Sequence, residues 1–119
     1  GEIRRALEQW RTGAQAMVRN QARSGERVCV LRFEDLVQNT ERVMRRLADF
    51  VGIEFDGILL VPTFNRCPIQ ANTSFDNRED GIIQGTLARH QALTSAERDI
   101  IAEMTGEAYR KALEGALVF

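Results

Sequence analysis

Apolar residues in the first stretch of the chain recur at every third or fourth position: Ile3, Ala6, Leu7, Trp10, Ala14, Met17 and Val18. On a 3.6-residue period they share one stripe, so the pattern predicts an amphipathic helix over residues 3–22, stopped by Ser24-Gly25. The period then changes. From Arg27 to Phe33 the chain reads Arg-Val-Cys-Val-Leu-Arg-Phe, with four consecutive apolar residues rich in Val. Such a run is the pattern of a strand buried on both faces, as in parallel sheets, and it predicts a strand over 27–33. The helical period returns with Val43, Met44, Leu47, Phe50 and Val51, which predicts a helix over 40–51. Asn39 stands at its N-cap, Glu41 in its first turn faces the positive helix end, and Gly52 follows its last residue. A third helix is predicted over 95–115, with Ile100, Ile101, Met104, Ala108 and Leu113 as its stripe. Thr94 and Glu97 have the spacing of a capping box at its start. Residues 62–92, with Pro62, Pro68 and scattered Asn and Gly, read as loop, and Ile58–Val61 is too short to assign.

One strand alone is an incomplete sheet. Its N–H and C=O groups need partners, because burying them unpaired is costly. The expectation is that the strand at 27–33 pairs with a second copy of the chain, or with a segment outside these residues. The chain opens at Gly1 without a Met, which reads as a processed or cut polypeptide.

Composition narrows the class. The 119 residues are one domain by size, 28% charged and 44% hydrophobic, an ordinary globular balance. The 16 basic and 17 acidic residues nearly cancel, which argues against a nucleic-acid or membrane partner. No apolar stretch approaches the roughly 18 residues of a membrane span. The charged, amphipathic opening has no signal-peptide pattern, so a cytoplasmic protein is expected. Cys29 and Cys67 then read as free thiols in a reducing compartment. No metal-ligand spacing is present, and no metal is expected.

The stretch "VLRFEDLVQNTERVMRRLADFVGI" resembles a segment of the PAPS-dependent sulfotransferases: V-x-R-Y-E-D-L, a short gap, a helix, then F-L-G. Downstream, "ANTSFDN" followed by "LARHQALTSAERDIIAEMTGEAYRKAL" is similar to the ends of bacterial and carbohydrate-type members. There a Ser/Thr-Ser-Phe segment precedes an Arg-Trp pair, a Leu-Thr and a terminal helix. The likeness spans roughly residues 10–117, in family order.

The resemblance implies an α/β fold of the P-loop nucleotide-kinase type. It also implies transfer of a sulfuryl group from 3′-phosphoadenosine 5′-phosphosulfate (PAPS) to an acceptor hydroxyl or amine, small-molecule or carbohydrate, leaving adenosine 3′,5′-bisphosphate. The family's phosphosulfate loop follows its first strand. Here Gly81, Gly85 and Gly106 do not form G-x-x-x-x-G-K-[ST]. The chain therefore resembles only the C-terminal portion of a sulfotransferase, a single and partial domain over 1–119. It is expected to pair with the missing N-terminal half or to form a homodimer, and to be inactive alone.

Carried over position by position, Phe33 falls on the Tyr of Y-E-D, which contacts the adenosine part of the nucleotide. A ring face is kept and a hydroxyl is lost; the bland alternative is the last core residue of a strand. Glu34 and Asp35 read as structural acids. On a strand, neighbours point to opposite faces and do not converge on one substrate. Thr73, Ser74 and Phe75 match a segment that packs on and hydrogen-bonds the adenine, against the alternative of a loop whose Phe plugs the core. Gln84 and Gly85 fall near the family's Arg-Lys-Gly clamp on the 3′-phosphate, of which only the glycine is kept. Arg78 or Arg89 could supply the missing charge, since phosphate favours charge-assisted donors. Arg89 stands at the Arg of the Arg-Trp pair, with His90 in place of the Trp. His90, the one histidine, is assigned no catalytic role, and no catalytic residue is expected within the chain. The reading that competes with all of this is a non-enzymatic, mainly helical interaction module.

Overall fold

The computed structural model of the chain describes residues 1–69, 82 and 85–117, the side chains of residues 86 and 87 apart. It is mostly helical: α1 Glu2–Ser24, α2 Phe33–Gln38, α3 Thr40–Val51 and α4 Ser95–Glu114. Three 3-10 segments, Gly25–Arg27, Gly57–Leu60 and Gly85–Ala92, join them, with a two-stranded hairpin of β1 Thr63–Phe64 and β2 Cys67–Pro68. The three helices read from the sequence are present at nearly the expected bounds. The chain divides into two compact units, one of residues 1–32 with 90–118 and the other built on residues 33–89.

The first unit is built on α1 and α4. Trp10 faces Tyr109 with ring centroids 6.4 Å apart and planes tilted by 43°. Arg4 donates to the Met104 sulfur at 3.8 Å, and Gln21 Nε2 donates to the Gly115 carbonyl at 2.6 Å. The paired numbers rise together along both helices, so α1 and α4 run parallel. Small side chains make the close approach: Ala14 of α1, with Thr105, Ala108 and Ala112 of α4, are buried. The Thr105 hydroxyl satisfies itself on the Ile101 carbonyl at 2.6 Å, so its burial leaves no orphan donor. Trp10, expected in the core, is instead half-exposed at the edge of this seam. A wide indole does not fit between backbones brought together by alanines.

The predicted strand over 27–33 requires correction. Residues 25–27 form a 3-10 turn, Val30 makes a single parallel bridge to Ala116, and Phe33 already begins α2. Val30 is buried and its carbonyl accepts from Leu117 N at 2.8 Å. The apolar run was read correctly as extended and buried at its centre. Its far end was not, because Phe33, Leu36 and Val37 also carry a helical period, and Glu34 and Asp35 suit the positive end of a helix. The parallel α/β sheet implied by the resemblance is not among the described elements; the described sheet is the small β1–β2 hairpin.

In the second unit α2 passes into α3 through Asn39, whose N–H donates to the Asp35 carbonyl at 2.8 Å. Asn39 holds the expected N-cap position but makes no side-chain cap bond. The Thr40 hydroxyl instead bonds the Leu36 carbonyl at 2.7 Å, joining the two helices across the bend. Val43 is fully buried and anchors this unit. Gly52 takes the left-handed φ of 77°, Ile53 N donates to Ala48 O at 3.0 Å and Gly52 N to Asp49 O at 3.2 Å, a Schellman ending. Arg45 binds Glu41 Oε1 through Nε and Nη2 at 3.0 and 2.7 Å while lying 4.0 Å over the Phe55 ring. The stretch left unassigned at Ile58–Val61 is largely a 3-10 turn, capped by Asp56 Oδ1 on Ile58 N at 2.9 Å. Within the expected loop, Asn65 and Arg66 both take positive φ, 55° and 68°, as a two-residue type I′ hairpin turn requires.

Candidate functional site

The residues singled out from the sequence fall into two groups. Thr73, Ser74, Phe75 and Gln84, together with Arg78, lie outside the described residues. Phe33, Gly85 and Arg89 are described, and all three belong to the 33–89 unit.

Phe33 is the first residue of α2 rather than the last of a strand, and it is 58% exposed. The core-residue alternative is thereby removed. A ring this exposed, directly after an extended segment, offers a free apolar face to a planar ligand. Glu34 and Asp35 occupy the first turn of α2. The strand argument against their convergence no longer applies, yet the structural role stands on different ground: carboxylates in a first helical turn offset the partial positive charge of unpaired N–H groups.

Gly85 opens the 3-10 helix Gly85–Ala92, and Arg89 and His90 lie on its exposed second half. This helix ends against the start of α4. Leu93 N donates to His90 O at 3.2 Å. The predicted capping box is formed in full: Glu97 N donates to Thr94 Oγ1 at 3.2 Å, and Thr94 N donates to Glu97 Oε2 at 2.8 Å. The Thr94 hydroxyl adds a second bond to the same Glu97 oxygen at 3.0 Å. The Thr94 backbone N–H, then its hydroxyl, stabilise the ionised form and hold the Glu97 carboxyl below its ordinary pKa. Sequence reasoning did not single out Arg98. Its Nη2 donates to the His90 and Gln91 carbonyls at 3.5 and 3.4 Å. The signal was a basic residue directly after a capping box, where it faces the end of the preceding helix.

The α1–α4 pair carries two open grooves in its own unit. One, of about 440 Å³, is apolar and lined by Leu7, Trp10, Ile101, Thr105, Gly106 and Tyr109. The other, of about 380 Å³, is charged, with Arg11, Gln15 and Arg19 opposite Glu103, Glu107 and Lys111. None of these residues is among those the resemblance marks. Among the described residues no helix is long and apolar enough to cross a membrane.

One comparison with known families bears on the α1-to-α3 segment. Residues 1–57 match the family model described as the Sulfotransferase family. Over this segment the chain is sulfotransferase-like. The matched segment contains α1, the extended stretch at Val30, Phe33 with its two acids, and all of α3. Gly85, Arg89 and the Thr73–Phe75 stretch lie beyond it. No curated protein and no solved structure matches the chain.

Proposed function

We propose that this chain supplies the adenine and 3′-phosphate side of a sulfotransferase donor site, with PAPS as the donor substrate. The observation that carries the reading is the exposed Phe33 ring at the start of α2, inside the segment that matches the family. Phe33 offers its face to the adenosine, Thr73, Ser74 and Phe75 pack on and bond the adenine, and Gln84, Gly85 and Arg89 approach the 3′-phosphate. The residues fit the nucleotide in chemical kind. A purine needs an aromatic face and edge hydrogen bonds, and a phosphate needs backbone N–H groups and a guanidinium.

In the reaction, an acceptor oxygen or nitrogen attacks sulfur in line. A new bond to sulfur forms, the bond from sulfur to the 5′-phosphate oxygen breaks, and adenosine 3′,5′-bisphosphate leaves with the electron pair. The acceptor proton passes to a base, a role this reading assigns to none of the residues named here. Within the chain, the work is binding and orientation: uniform hold on the nucleotide lets the transferring group be aimed. Residues 1–119 alone should show no measurable transfer and at most weak nucleotide binding.

The competing reading, a helical interaction module, draws on the many exposed apolar side chains between Phe33 and Ile82. Calorimetric titration of the full-length protein with adenosine 3′,5′-bisphosphate separates the two. Saturable binding that is kept or improved in Phe33→Tyr, which restores the family's hydroxyl, supports the donor site. Absence of saturable binding in a folded protein leaves the interaction module.

A further inference from the structure

The turn between the 3-10 helix and α4 is held by three sets of hydrogen bonds. Leu93 N closes on the His90 carbonyl, the Thr94–Glu97 box fixes where α4 begins, and Arg98 reaches back eight and seven residues to the His90 and Gln91 carbonyls. A guanidinium at the end of a helix satisfies its last carbonyls and complements their partial negative charge. Arg98 does this for the helix on which Arg89 immediately precedes His90. The three devices act in series: the box fixes the α4 backbone, the α4 backbone fixes Arg98, and Arg98 fixes the last turn of the 3-10 helix. A 3-10 helix of eight residues is long for its kind and poorly held by its own bonds, so an external clasp has something to correct.

We propose that Arg98 is a positioning residue for Arg89: by clasping the His90 and Gln91 carbonyls it holds the end of the 3-10 helix in the conformation from which Arg89 meets the nucleotide's 3′-phosphate. The inference rests on the donor-site reading above. Arg98 itself touches no ligand. Its loss leaves the Arg89 charge in place but widens the range of directions from which that charge approaches.

The test titrates the full-length protein with adenosine 3′,5′-bisphosphate and with adenosine 5′-monophosphate. The two ligands differ by the 3′-phosphate, so the ratio of their affinities isolates recognition of that group. Both ligands sample the same folded fraction, so partial unfolding cancels from the ratio. Arg89→Ala should lower the preference for the bisphosphate about tenfold or more, as loss of a charged partner does. Arg98→Ala should lower it roughly 5-fold, consistent with loss of contacts this long, and Arg98→Gln, which keeps the stem and a neutral donor, should fall between. In the Arg89→Ala background, Arg98→Ala should add nothing, because the residue it positions is gone. If Arg89→Ala lowers the preference while Arg98→Ala and Arg98→Gln keep it, Arg98 is not a positioning residue and the donor-site reading survives. If Arg89→Ala keeps the preference, the 3′-phosphate assignment of Arg89 fails, and this proposal falls with it.

Discussion

The two units of the chain bury their apolar residues in different ways. In the unit of α1 and α4, long helices meet along small residues, and the large hydrophobics left exposed among the described residues are Trp10 and Tyr109. In the 33–89 unit, Val43 is fully buried, but Phe33, Phe50, Val51, Ile53, Ile58, Val61, Phe64, Ile69 and Ile82 are all exposed. Single exposed apolar residues are ordinary on a domain surface, and the described part of this unit carries more of them than the α1–α4 unit. The residues assigned to the nucleotide fall in this same region. The contrast teaches that, among the described residues, one unit is stabilised by its own helix seam, whereas the other buries few side chains and is held also by its caps and turns.

Substitutions can break or sharpen that contrast. Val43→Ala should have the largest effect, about 2 kcal/mol of stability, because it removes methyl groups from the one fully buried anchor of its unit. Denaturant melts read the total, and hydrogen exchange should show the loss concentrated in α2 and α3. Gly115→Ala probes the other unit. A Cβ there collides with the end of the Gln21 side chain, so the bond from Gln21 Nε2 to the Gly115 carbonyl must break. A loss of about 1 kcal/mol is expected, with exchange rising at the ends of α1 and α4. Equal spread of either loss through both units would remove the distinction between them.

Arg66→Gly should act in the opposite direction. Arg66 sits at φ 68° in a turn that favours glycine, so relief of strain should stabilise the hairpin by about 0.5–1 kcal/mol. The smallest effect concerns Glu97. Its carboxyl is held below its ordinary value, so its contribution is present above the unfolded pKa and is lost as pH falls through the lowered folded value. The melting difference between the native protein and Glu97→Gln should therefore shrink as pH is lowered through the acid range. A difference independent of pH would mean that the ionised carboxylate contributes nothing to the cap.

The helices were legible because their signals are local. The α1 stripe repeats every three or four residues, the Gly52 ending and the Thr94–Glu97 box each lie within a few residues, and all three elements are formed. The strand was not, because a strand depends on what pairs with it. Val28–Leu31 carries the composition of a central strand, yet the described chain gives Val30 one bridge, at Ala116. Phe33 was ambiguous for a related reason: an aromatic residue at the end of an apolar run reads as core until the backbone turns into a helix and leaves it exposed. Arg98 escaped notice because its partners are backbone carbonyls, which leave no trace in residue identity. The residues proposed for the donor site rest on the resemblance; spacing and periodicity alone do not mark them.

The central claim is that the 33–89 region holds the adenine of the donor nucleotide. Phe75→Ala in the full-length protein tests it most directly, with thermal melts to establish that the variant is folded. An aromatic–base stack is worth roughly 1–3 kcal/mol, so affinity for adenosine 3′,5′-bisphosphate should fall about 5- to 150-fold. Full affinity in a folded Phe75→Ala protein would contradict the assignment and reduce that stretch to packing.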